Sequence, residues 1–157
     1  MKIQIIGAGS IGGSIAIRLS KCGHEVTVFD ESVCTTEALK RKHRDISISL
    51  KICESADLTI LAVPMGSEAQ LLQSVAFEET VLDVASVMQP FQLIARKRKI
   101  RFISGHPMAG NEHKGPAGWD ESMFDGRVFL LSPGEFASAE DLKRVLEIIG
   151  DLRSSPE

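Results

Sequence analysis

Residues 2–12, KIQIIGAGSIG, run from a short isoleucine-rich segment directly into a glycine-rich turn. An apolar spacing typical of a helix follows in residues 15–19, so this part of the chain predicts a strand, a tight turn and a helix. Gly23 is a suitable residue to end that helix, and residues 25–29, EVTVF, return to β-branched and aromatic side chains before Asp30. The order predicts one complete βαβ unit.

The rest of the chain continues the alternation of strands and helices. Further strands are predicted at residues 46–50, 58–63, 80–84, 101–103 and 128–132, with helical patterns between most of them. This order is typical of an α/β protein with a Rossmann-type, doubly wound and mostly parallel sheet. Residues 104–126, with five glycines and two prolines, predict a long functional loop. Residues 138–150 predict a helix that Ser138 caps and Gly150 ends.

Composition limits the function classes that are compatible with the chain. Its 157 residues, 43% hydrophobic and 25% charged, fit one domain over residues 1–157. The formal net charge of −3 gives no basic field for nucleic acid or a membrane surface, and the basic runs 40–44 and 96–101 resemble solvated helix ends. Strand-sized apolar runs predict no membrane span. Three cysteines without C-x-x-C spacing, and no signal-peptide pattern, predict a cytoplasmic location.

The glycine-rich turn matches a dinucleotide-binding pattern. Gly7, Gly9 and Gly12 form G-x-G-x-x-G between the first predicted strand and helix. In this pattern the first glycine permits the turn, the second lets the backbone approach a pyrophosphate, and the third lets helix and strand pack closely. We predict cofactor contacts here, with Ser10 and Ile11 included. The alternative is a tight turn that binds nothing.

Two further positions extend this predicted cofactor site. Asp30 ends the second predicted strand, where a carboxylate can accept hydrogen bonds from both adenosine ribose hydroxyls and would repel a 2′-phosphate. The sequence therefore predicts NAD rather than NADP. Val63 and Pro64 end the fourth predicted strand, where the chain turns over the nicotinamide side of such a fold. Their simpler role is to terminate the strand.

A serine and a histidine are predicted at the same edge of the sheet. Ser86 follows the strand at residues 80–84, and His106 lies in GHPMAG, residues 105–110, after the next strand. A neutral imidazole can accept a proton near pH 7, as the oxidation of an alcohol by hydride transfer to NAD requires. Ser86 could orient the imidazole or the hydroxyl. A structural histidine and a helix-capping serine are the alternatives.

Several of these motifs together resemble one family. The glycine motif, the Asp83-x-x-Ser86 strand end, the run at 105–110, Glu112 and Gly115 are similar to the prephenate and arogenate dehydrogenases of tyrosine biosynthesis. The resemblance covers nearly the whole chain. It implies an NAD-dependent oxidative decarboxylation that converts prephenate to 4-hydroxyphenylpyruvate, or acts on arogenate. His106 would take the ring hydroxyl proton, and Ser86 would hold both that hydroxyl and His106. Glu112 would help gate the pocket or steer a substrate-binding arginine, and its alternative is a solvated loop carboxylate.

The resemblance also has limits. Met88 occupies a place where the family often has a lysine. The family's helical second domain, which supplies the homodimer contacts and the basic groups for the substrate carboxylates, is absent from these residues. We therefore expect a truncated or degraded gene product that is incomplete as an enzyme by itself.

Other functions are also compatible with parts of the sequence. One alternative is a non-catalytic NAD-binding or sensing module. A hydroxy-acid dehydrogenase of the 6-phosphogluconate or 3-hydroxyisobutyrate type would share the glycine motif but would not explain the run around His106. We predict no metal at His106, Glu112 and His113, because no helical histidine pair or cysteine pair accompanies them. Trp119 should anchor its loop to the core.

Overall fold

The strands of the protein form one sheet with helices on both faces. The computed structural model describes residues 1–52 and 55–157, so Cys53 lies outside the described residues. The strands are β1 (Lys2–Ile6), β2 (Glu25–Phe29), β3 (Ser47–Ile48), β4 (Leu58–Leu61), β5 (Thr80–Asp83), β6 (Phe102–Pro107), β7 (Val128–Pro133) and β8 (Ser155–Pro156). The helices are α1 (Ser10–Lys21), α2 (Val33–Lys42), α3 (Met65–Ser74), α4 (Gln89–Arg98) and α5 (Ala139–Asp151), with a 3₁₀ turn at Gly115–Gly118.

The strand order confirms a doubly wound sheet. Its order is β3-β2-β1-β4-β5-β6-β7-β8, and every neighbouring pair is parallel except β6 and β7. The chain leaves β1 toward β2 on one side and returns to β4 on the other. In open α/β sheets this reversal creates a crevice at the carboxyl ends of the strands, where ligands bind. None of the described helices is long and apolar enough to cross a membrane.

Two apolar clusters, one on each face, hold the helices to the sheet. The larger includes Ile15 of α1, Leu39 of α2 and Ile148 of α5. The other joins Leu72 of α3 and Phe91 of α4 to the opposite face. Because the central parallel strands are covered on both sides, β1, β4 and β5 are buried along nearly their whole length. The helices thus leave the strand ends as the accessible edge.

The structure corrects the predicted surroundings of His106. The strand predicted to stop at residue 103 continues to Pro107, so His106 lies in β6 and not in a loop. Antiparallel pairing with β7, which places His106 opposite Leu130, extends the strand. At Gly105 a Cβ would lie 2.7 Å from the Phe129 ring, so the glycine serves packing here. Glycine and proline disfavour strands locally, and the pairing outweighs that preference.

The end of the chain agrees with the prediction only at the start of α5. Ser138 caps the helix, and Asp141 completes a capping box with it. The helix runs through Gly150 to Asp151, so Gly150 is not its end. The reversal occurs at Arg153, whose φ is +58°. The residues after this turn add the unpredicted strand β8 beside β7.

Candidate functional site

The three glycines of the motif differ in what surrounds them. Gly7 has a φ of +96°, and a Cβ there would lie 2.4 Å from the Ala62 carbonyl oxygen. A Cβ on Gly12 would lie 2.0 Å from the Gly7 carbonyl oxygen, so α1 packs closely on the end of β1. A Cβ on Gly9 would meet no atom within 4 Å. The turn therefore has two positions closed by packing and one that is open.

The Asp30 carboxylate is fixed beside this turn. The Ala8 N–H donates to its Oδ2 at 2.6 Å, and the Ser32 N–H donates to its Oδ1 at 2.7 Å. Each carboxylate oxygen has a second lone pair with which to accept another hydrogen bond. Asp30 thus combines a fixed orientation with remaining acceptor capacity.

A hollow of about 430 Å³ lies at the carboxyl ends of β1, β2 and β4. Of the predicted cofactor residues, it is lined by Gly7, Gly9, Asp30, Val63 and Pro64. Gly12 supports the turn from behind.

Ser10 and Ile11 are not among the residues that line this hollow. The Ser10 hydroxyl can donate to the Asn111 Oδ1 or to the Gly118 carbonyl, each 3.1 Å away. Ile11 is half-buried against the larger core cluster. Their side chains therefore face the loop after β6 and the core.

His106 lies at the end of β6, next to a second hollow of about 340 Å³. Met108, Met123 and Arg127 also line this hollow. The His106 side chain is half-buried, and its Nδ1 is buried with no hydrogen-bond partner among the described residues.

Ser86 follows β5 and Glu112 follows β6, so both lie beyond the carboxyl ends of neighbouring strands. Ser86 is exposed in the segment between β5 and α4, and the described residues show no hydrogen bond between it and His106. Glu112 is exposed and forms no ion pair within residues 1–52 and 55–157. The structure thus brings these residues to one edge without joining them.

A buried pair of carboxyls below this edge was not predicted. Glu68, in the first turn of α3, and Asp83, at the end of β5, are both fully buried. Burial, and then the Asp83 carboxyl, raise the pKa of Glu68 to about 9. Burial raises the pKa of Asp83 to about 7 against the lowering effect of the Gly105 N–H, which donates to it at 2.7 Å. The pair therefore retains a proton at neutral pH.

In sequence, Glu68 looks like an ordinary acidic residue in the first turn of a helix, where it would complement the helix dipole. Its burial depends on how α3 packs against β5. No signal in the local sequence identifies its partner.

One group of potential metal ligands occurs among the described residues, away from both hollows. Ligand atoms of His24, Glu147 and Asp151 lie within 4.8 Å of one another. The His24 Nε2 is 2.7 Å from an Asp151 oxygen, and its Nδ1 is 3.3 Å from the amino terminus of Met1. These hydrogen bonds account for the histidine without an ion.

Sequence comparisons associate the chain with known dehydrogenases. Residues 15–155 match the family described as "Prephenate dehydrogenase, nucleotide-binding domain". A prephenate dehydrogenase of Lactococcus lactis subsp. cremoris (strain MG1363) is 30% identical over 158 residues, which cover 93% of this chain and 44% of the relative. A prephenate dehydrogenase of Bacillus subtilis (strain 168) is 27% identical over 162 residues, with coverages of 92% and 43%. The chain thus spans slightly less than half the length of these relatives.

Solved structures show the same architecture. Synechocystis arogenate dehydrogenase superimposes with a TM-score of 0.88 and 26% identity over 100% of this chain and 59% of that one. Aquifex aeolicus prephenate dehydrogenase, in complex with hydroxyphenyl propionate and NAD⁺, has a TM-score of 0.82 and shares the fold at 24% identity, with coverages of 100% and 59%. These likenesses agree in the fold, and the family match over residues 15–155 shows that the chain belongs to the family of prephenate dehydrogenase nucleotide-binding domains.

Proposed function

We propose that residues 1–157 form the dinucleotide-binding domain of an NAD-dependent prephenate or arogenate dehydrogenase of the cytoplasm. The observation that carries the proposal is that the open glycine turn, Asp30 and His106 lie at the carboxyl edge of one sheet. Ligands bind at this edge in α/β folds. The names of the related proteins support the same reaction. The family's helical domain would bind the substrate carboxylates and form the homodimer contacts.

The groups that surround the larger hollow fit a dinucleotide. Gly9 leaves room for a pyrophosphate next to the start of α1, and Asp30 retains acceptor capacity for ribose hydroxyls. Its negative charge disfavours the additional phosphate of NADP. Val63 and Pro64, across the hollow, would cover the nicotinamide side. Bound NAD supplies the hydride acceptor of the reaction.

His106 would act on the substrate hydroxyl. As hydride leaves the carbinol carbon, the imidazole accepts the hydroxyl proton. The bond to the ring carboxylate then breaks, carbon dioxide leaves, and His106 returns the proton to the oxygen of the new aromatic ring. Ser86 would orient the hydroxyl, and Glu112 would gate the entrance. Both are exposed, which leaves them free to move toward a substrate.

The cofactor assignment is tested by calorimetric titration with NAD and NADP. We expect saturable NAD binding that Asp30→Ala weakens by about tenfold or more, because the variant loses the ribose acceptor. Discrimination against NADP should shrink in the same variant. Asp45→Ala, which removes an exposed carboxylate elsewhere, is the matched control. Absence of NAD binding by the wild type would refute the proposal.

The catalytic assignment is tested by NADH formation from prephenate or arogenate. The assay uses the chain mixed with the part of the Lactococcus relative that this chain does not cover, and His106→Asn in the same mixture. Loss of a general base costs about 10²–10⁴-fold in rate. We expect a loss of this size with unchanged NAD affinity. Turnover that survives the substitution would remove His106 from the chemistry.

A further inference from the structure

The loop after β6 is attached to the glycine-rich turn through Trp119. The indole Nε1–H of Trp119 lies 3.0 Å from the Ala8 carbonyl oxygen and 3.1 Å from the Gly9 carbonyl oxygen. One proton is thus shared between two carbonyls of the turn. This contact confirms that Trp119 anchors its loop, and it places the anchor on the cofactor turn.

Two glycines allow the loop and α1 to approach each other closely, and one of them faces the indole. A Cβ on Gly13 would lie 1.9 Å from the Trp119 Nε1, and a Cβ on Gly118 would lie 2.7 Å from the Ser10 Oγ. Gly13 lies one position beyond the G-x-G-x-x-G motif and has no part in the predicted pyrophosphate contacts. Its lack of a side chain is explained by the indole that packs against α1.

Polar contacts on both sides of Trp119 continue the attachment. The Gly118 carbonyl oxygen lies 3.1 Å from the Ser10 hydroxyl and accepts from the Asn111 Nδ2 at 2.9 Å. The Asp120 N–H donates to the Ser14 hydroxyl at 2.9 Å. The loop is therefore held to α1 at several points.

We propose that Trp119 is a positioning residue for the dinucleotide: its indole holds the glycine-rich turn in the binding conformation and joins it to the loop that follows His106. The inference rests on the proposed NAD site. If the turn adopts the binding conformation for only a fraction of the time, its apparent affinity for the dinucleotide falls to that fraction of the intrinsic affinity. Because the coupling of two binding events is reciprocal, dinucleotide binding would also order the loop that carries Glu112.

The first test removes the donor and keeps the ring. In Trp119→Phe the two carbonyls lose their shared proton, and we expect the NAD dissociation constant to rise about three- to tenfold, the effect of one hydrogen bond. Trp119 is the one tryptophan of the chain, so its indole N–H gives a single NMR signal that can be followed directly. We expect that signal to shift as NAD is added. An anchor that is independent of the cofactor would not respond.

The second test addresses the same contact from α1, in case Trp119→Phe does not fold. Gly13→Ala should displace the indole and weaken NAD binding by a similar factor. Gly150→Ala, in α5 where a Cβ would meet no atom within 4 Å, is the matched control and should bind NAD like the wild type. In a Trp119→Ala background the added Gly13→Ala should cause no further loss, because the group that it displaces is gone.

The outcomes separate this inference from the proposed function. Wild-type NAD binding with an unchanged affinity in Trp119→Phe, or with fully additive effects of Gly13→Ala and Trp119→Ala, would overturn the role of Trp119 alone. A wild-type chain that does not bind NAD would overturn the proposed function and this role with it. Non-additive losses with a shifting indole signal would support both.

Discussion

The turn after β1 and the end of β6 both lie at the carboxyl edge of the sheet, but one forms its site from backbone atoms and the other from side chains. At the turn, backbone geometry forms the site: Gly7 and Gly12 are closed by packing, and Gly9 is open. Near the end of β6 the relevant groups are side chains from separate elements: the His106 Nδ1 is buried without a hydrogen-bond partner among the described residues, and the Glu68 carboxyl is buried beside that of Asp83. A site made of backbone can be recognised from one stretch of sequence. A site made of side chains depends on which elements become neighbours.

The largest loss of stability and NAD binding is expected at Gly12, where the neighbouring backbone leaves no space for a side chain. Gly12→Ala places a Cβ 2.0 Å from the Gly7 carbonyl oxygen, so α1 must move away from β1. We expect a loss of about 3 kcal/mol of stability and no measurable NAD binding. Thermal unfolding and calorimetry measure the two effects. The matched control is Gly66→Ala in α3, which meets no atom within 4 Å. A normal melting temperature for Gly12→Ala would contradict the close packing.

The buried carboxyl pair of Glu68 and Asp83 should make the stability of the folded protein depend on pH. Because the pKa of Glu68 is raised to about 9, the folded protein retains a proton that the unfolded chain loses above about pH 4.5. Wild-type stability should therefore fall as the pH rises from about 4.5 to 9. Glu68→Gln cannot ionise at this position and should show a smaller fall, because only the Asp83 carboxyl of the pair still titrates. At pH 9 we expect the variant to be more stable by about 2 kcal/mol, or roughly 4–8 °C in melting temperature.

Parallel melting curves at pH 5 and pH 9 measure this difference. Glu37→Gln, at an exposed position in α2, controls for the loss of one negative charge. Equal pH dependence of Glu68→Gln and the wild type would show that the carboxyl pair does not titrate as its burial requires. A buried ionisable pair would then not distinguish the region around β6 from the glycine turn.

A smaller and more selective effect is expected at the open glycine. Gly9→Ala adds a Cβ into free space at a φ of −62°, which alanine readily adopts. The melting temperature should stay close to that of the wild type, while NAD affinity falls about tenfold because the methyl group occupies the pyrophosphate position. Calorimetric titration beside a thermal melt separates the two readouts. Unchanged NAD affinity would place the pyrophosphate elsewhere.

The smallest effect is expected away from both regions. Ser138→Ala removes the hydroxyl that caps α5 and should cost about 1 kcal/mol of stability. Because α5 contributes no residue that lines either hollow, NAD affinity should not change. Denaturant unfolding and an NAD titration of the same preparation check this. A change in NAD affinity would indicate coupling between α5 and the glycine turn.

Most predictions that depend on a local signal succeeded, with the exception of Gly150, which does not end α5. The strand-turn-helix order around Gly7, the helix stop near Gly23 and the cap at Ser138 all depend on residues within one turn of each other. They failed where distant pairing decided the outcome. Pairing with β7 continued β6 past residue 103, and pairing of the final residues produced β8.

The amino-acid sequence by itself determined the βαβ unit, the open glycine and the carboxylate that ends β2, because backbone freedom and strand periodicity are properties of adjacent residues. Only the tertiary structure decided that Trp119 holds the glycine turn and that Glu68 shares a buried site with Asp83. Hydrogen bonds and desolvation act between atoms that are close in space, and these residues are far apart along the chain. Their proximity follows from the packing of helices on a completed sheet.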